Sequence, residues 1–151
     1  MSRTSSVTVA GALFSACLLT ASLPARAAGD VEPEVQMSVV GEAMQVVVPV
    51  KDSVASYRRS HDDFPASNAV AGVPPPERFA SNSVKRLAIG PDGVIDVVLT
   101  AASGVDGGMI RFHPDYTPQS GGGDVHWTCA SASYSNIGDL TAGVCTYTNQ
   151  P

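Results

Sequence analysis

Residues 35–60, VQMSVVGEAMQVVVPVKDSVASYRRS, decide the fold class. Val35, Val39, Ala43, Val47, Val50, Val54 and Tyr57 recur at threes and fours, which places them on one stripe of an α-helix. Asp52, Arg58 and Arg59 fall off that stripe. Pro49 stands against an undisturbed helix, because it lacks an N–H, clashes with the preceding turn and pushes Val48 toward extended geometry. The pattern predicts a helix over residues 35–60, bent or broken around 46–49, or else a second helix that starts with Pro49 in its first turn. Residues 62–83 then read as loop, since Pro65, Asn68, Gly72 and Pro74-Pro75-Pro76 forbid a long regular element. Phe64, Val70, Val73 and Phe79 would tack that loop onto a core.

From Val84 the period drops to two. Val84, Leu87 and Ile89 lie around Lys85-Arg86, Gly90-Pro91-Asp92-Gly93 is a turn, and VIDVVLT (94–100) is the strongest strand in the chain. These two runs predict an antiparallel hairpin. Met109–His113 reads as a third strand ended by Pro114, and Val125–Ala130 as a fourth, with Val125, Trp127 and Cys129 facing one way. The remainder reads as a loop clipped by Cys145. One helix followed by four strands in sequence predicts an α+β fold, the helix laid on a four-stranded antiparallel sheet.

The N-terminus reads as an address. Arg3 supplies a short positive region, Val7–Leu19 a mostly apolar run, and Ala25-Arg26-Ala27 a small-x-small cleavage pattern. Residues 1–27 are thus expected to be a secretory signal peptide, and residues 28–34 a flexible tail before a domain spanning 35–151. The apolar run falls short of the ~20 residues that span a bilayer, and Phe14-Ser15-Ala16-Cys17 is a poor site for lipid attachment at Cys17. Among 151 residues, nine basic and fourteen acidic side chains give a net charge of −5, which becomes −7 once Arg3 and Arg26 leave with the signal. That balance excludes a generic nucleic-acid binder, which needs a basic face. Fourteen Gly and eleven Pro fit a turn-rich chain. Two cysteines then remain in an exported protein, and a Cys129–Cys145 bridge is the default reading. The competing readings suit the spacing less: a redox pair is usually C-x-x-C, and two cysteines with no histidine at finger spacing make a poor zinc set.

With these pieces in order, the chain resembles a type IV pilin headpiece from about Val35 to Cys145. Pilins end their long helix with an acidic residue and small apolars, then Lys-x-x-Val-x-x-Tyr, a polar stretch, Phe-Pro and Asn-x-x-x-Gly. Lys51, Val54, Tyr57, Phe64, Pro65, Asn68 and Gly72 match that series of types. VKRLAIGPDGVIDVVLT is similar to the pilin's first two strands, and RFHPD followed by VHWTC to its Pro-ended strand and its Trp-x-Cys strand. The resemblance makes Cys145 the second cysteine of the C-terminal disulfide loop. It also brings out a departure. A pilin opens with a dedicated leader, then a Phe-x-x-x-Glu start on an unbroken apolar helix that anchors the subunit and forms the filament core. Here a signal peptide with an Ala-x-Ala site stands in that place, so no membrane anchor is expected after its removal.

Chemistry is sparse. No G-x-S-x-G elbow is present. His61, His113 and His126 each have an acid nearby but lack metal-ligand spacing, and they read as solvated or hydrogen-bonded side chains. The Gly104–Gly108 and Gly121–Asp124 turns supply too few oxygens for calcium. Trp127, the only Trp, reads as core rather than as a stacking platform, and Arg58-Arg59 as a solvated helix end. No catalysis, cofactor or metal is expected. The resemblance implies an exported, periplasmic or secreted, bacterial pilin-like structural or interaction protein whose partners are pilins or pilus-assembly proteins. Its contact would be an edge strand or the exposed stripe of the helix. The alternative is a carbohydrate or small-ligand module using Trp127 and the adjacent Gly-rich loop.

Overall fold

A computed structural model describes residues 31–118 and 123–150. Residues 1–27, read above as a signal peptide, residues 28–30 of the expected tail, residues 119–122 of the Gly-rich loop and Pro151 lie outside them. Helix α1 runs over Pro33–Ser60, 28 residues, and is therefore about 42 Å long. It begins two residues earlier than the apolar period suggests, with Pro33 at the first helical position, where no hydrogen bond is lost. Glu34 in the first turn and Arg58 and Arg59 in the last complement the helix dipole.

The break expected near Pro49 does not occur, because α1 passes through it uninterrupted. Pro49 and Gln45 are both exposed. The carbonyl that loses its helical donor thus sits on the solvent side, where water replaces the bond. Val47 and Val50 on either side are buried and hold both turns to the core. The buried stripe is Val39, Val40, Ala43, Val47, Val50 and Val54. Val35 is exposed, while its neighbour Gln36 donates to the Ser103 carbonyl of the Ala101–Ser103 turn and accepts from Asn136.

Five strands follow where the sequence suggested four: β1 Val84–Ile89, β2 Ile95–Leu99, β3 Met109–Thr117, β4 Asp124–Ser131 and β5 Cys145–Tyr147, in the order β1-β2-β3-β4-β5. The first four are antiparallel neighbours, and β5 lies parallel to β4. A register shift between Val84 and Arg86 lets both Val84 and Leu87 face the core although three positions separate them. The bidentate Arg111–Asp96 pair, at 2.7 and 2.9 Å, fixes the β2–β3 register on the outer face.

Strand β3 does not stop at Pro114. It continues to Thr117 against β4 alone, because β2 ends at the Ile95–Phe112 pair. Proline is tolerated there as on any sheet edge, where no ladder donor is required. The C-terminal stretch is also more ordered than a clipped loop. It forms the single turn α2, Ile137–Leu140, and then β5, whose Cys145 bridges to Cys129 opposite it in register. The core lies between the α1 stripe and the inner sheet face, where Val84, Leu87, Ile95, Val97, Leu99, Ile110 and Phe112 are all at most 1% exposed.

Candidate interaction surface

Three of the free sheet edges are guarded, while β4 over Asp124–Thr128 has no strand paired on its side away from β3 among the described residues. The outer edge of β1 is covered by the loop after α1: the Asn68 side chain accepts from Ile89 N–H at 2.6 Å and donates to the carbonyls of Leu87 and Pro74 at 3.1 and 2.8 Å, and Ser81 N–H donates to Val84 O. Beyond β2, the edge of β3 carries Pro114. Strand β5 is three residues long, with α2 packed on it. Short, proline-bearing or covered edges are how sheets avoid pairing with another chain.

The long helix is not guarded in this way. Met37, Gly41, Met44 and Val48 succeed one another at four, three and four residues, so they share a flank about a third of a turn round from the buried stripe. Met37 is 53% and Val48 49% exposed, with Met44 half-buried between them. A side chain added at Gly41 would meet nothing within 4 Å. Gly41→Ala is therefore expected to stabilise the fold by about 0.5–1 kcal/mol, through restored helix propensity without a clash, seen as a raised urea midpoint.

The same flank continues one turn on to Lys51. Its Nζ lies 4.3 Å from the Phe112 ring centroid and 5.4 Å from that of Trp127. Burial lowers the Lys51 pKa, while the two aromatic faces favour the charged amine. Among the described residues Lys51 has no ion-pair partner. Trp127 is half-buried and packed against the core, with the amine over its ring. This occupies a face that a sugar would need, and the Gly-rich loop meant to complete such a site lies largely outside the described residues.

On its opposite flank α1 is tied to the sheet by Glu42, which accepts from Ser81 Oγ at 2.9 Å and Ser83 Oγ at 2.5 Å. The two hydroxyls, Ser83 foremost, hold the carboxyl below its ordinary value. Because the folded pKa is depressed, this contribution is present above the unfolded value and is lost as pH falls through the folded one. Between pH 7 and pH 3 the wild-type melting temperature is expected to fall more steeply than that of Glu42→Gln.

The other sequence-derived residues are architectural in position. Tyr57 stacks on His61, with centroids 3.9 Å apart and planes at 5°, and Arg58 lies over Tyr116 and Phe64 at 3.9 and 5.6 Å. Pro65 and Asn68 are buried, and Gly72 takes φ +69°. His61, His113 and His126 are exposed, and no three His, Cys, Asp or Glu side chains converge as metal ligands among the described residues. Sequence reasoning missed Lys51 on two rings and Glu42 on two serines. The partners in both cases are 39 or more positions away, and no local pattern announces them.

The molecule is a helix laid across a meander of strands and closed by a C-terminal cystine. Residues 38–146 match the family model for pilin, the subunit of a bacterial filament. The chain belongs to the pilin family. No curated protein matches it. Pilins are structural subunits. Among the described residues of this pilin-family chain, no helix is long and apolar enough to cross a membrane.

Proposed function

We propose that this chain is an exported, non-catalytic pilin-like protein that works by docking onto other pilin-like subunits of a type IV pilus, in its assembly, regulation or adhesion, through the open flank of α1. The observation that carries this reading is the flank itself: Met37 and Val48 are about half exposed, a side chain added at Gly41 would meet nothing, and Met44 between them is only partly buried. Exposed apolar side chains arranged contiguously along a helix mark a protein contact. Export, with cleavage after Ala27, places the chain where such subunits are.

Co-sedimentation tests the docking. The processed protein is expected to pellet with pili purified from the same bacterium, and Gly41→Trp, which fills the open point of the flank without touching the core, is expected to stay in the supernatant. Equal pelleting of both would remove the α1 flank from the proposal, and failure of the wild type to pellet would remove the pilus. N-terminal sequencing of the exported protein is expected to begin at Ala28.

A further inference from the structure

We propose that Lys51 makes the α1 flank selective for a partner helix that carries a carboxylate within its apolar stripe. This rests on the reading of that flank as the docking surface. The amine is held at the border of the flank by Phe112 and Trp127, at 4.3 and 5.4 Å, and has no ion-pair partner among the described residues. Val48 lies three residues before it, and half-buried Met44 a further turn back. The cation is thus bordered by apolar surface that a docked helix would cover, in a chain whose net charge of −5 otherwise repels acids.

A docked helix that offered only apolar groups would strip the remaining water from Lys51 and leave the charge uncompensated. A carboxylate facing the amine restores the lost hydrogen bonds as charge-assisted ones, and the low dielectric of the covered contact strengthens them. The two aromatic faces fix the amine, so little side-chain freedom remains to be lost on binding. Complementary charge selects the partner, and the surrounding apolar area supplies affinity.

The test uses two fluorescein-labelled synthetic helical peptides with the same leucine stripe, one carrying a glutamate in that stripe and its twin a glutamine, titrated with the whole processed protein and read by anisotropy. The glutamate peptide is expected to bind about tenfold more tightly than the glutamine peptide. Lys51→Met, which keeps the packed stem, is expected to abolish that difference, while Lys51→Arg keeps it. Circular dichroism shows whether each variant is folded. Equal affinity of the two peptides for the wild type, or a preference that survives in Lys51→Met, overturns carboxylate selection and leaves the flank standing. Binding of both peptides that Gly41→Trp leaves unchanged, or no binding of either, overturns the flank and the selection together.

Discussion

Asn68→Ala is expected to destabilise the protein by about 3 kcal/mol, among the largest single-residue effects in the molecule. Asn68 is 5% exposed and makes three hydrogen bonds, two of them to the outer edge of β1. Truncation leaves the Ile89 N–H and the Leu87 carbonyl without partners beneath a loop, and a buried polar group left unpaired costs about 1–3 kcal/mol. Asn68→Asp is nearly isosteric yet is expected to do no better. Its carboxylate still accepts from Ile89 N–H, but it faces the Leu87 and Pro74 carbonyls with no proton to offer either. Urea unfolding checks both variants, with a lowered midpoint and an unchanged slope expected. An uncovered β1 edge also predicts association, so light scattering should rise for Asn68→Ala before the unfolding midpoint is reached. A loss below about 0.5 kcal/mol would mean that water replaces the amide, and the loop after α1 would then be no guard.

Removing the Cys129–Cys145 bridge by a Cys129→Ala, Cys145→Ala double substitution is expected to cost about 3 kcal/mol, the loop-closure value for cysteines 16 positions apart. The loss should be uneven. Strand β5 has three residues, pairs only with β4 and is preceded by a helical turn of four residues, so besides the bridge the segment from Ile137 to Tyr147 relies on Ile137 and Leu140 in the core and on that short ladder. Helix α1 and strands β1–β3 have the Val, Leu, Ile and Phe core to hold them. Hydrogen exchange should therefore quicken first in residues 137–147, at denaturant concentrations where β2 and β3 remain protected. Uniform acceleration across the sheet would show that the bridge braces the whole fold.

Much of the architecture was legible along the chain. The valine stripe of α1 is a period of 3.6 that only a helix buries on one side, and Val84–Thr100 carries a period of two around a Pro-Asp-Gly turn. Where the reading went wrong, a distant neighbour overruled a local rule. Pro49 breaks helices when the orphaned carbonyl is buried, but here it faces water. Pro114 ends a strand that needs its N–H, but β3 has no second partner at that point. The segment Cys145-Thr146-Tyr147 is too short to declare itself a strand, and becomes one because Cys145 is fastened opposite Cys129.

The same division runs through the candidate surface. Met37, Gly41, Met44 and Val48 can be placed on one flank by counting, since helical spacing is a property of the backbone alone. Whether that flank is covered depends on where the sheet ends, and so does the place of Lys51 on rings contributed by β3 and β4. Local sequence determined which elements form and which face of each is apolar, because those follow from interactions a few residues apart. Only the tertiary structure decided which edges are closed, which charge is left without a counter-charge and which apolar face stays in water. Each of these depends on groups that meet across dozens of residues of chain.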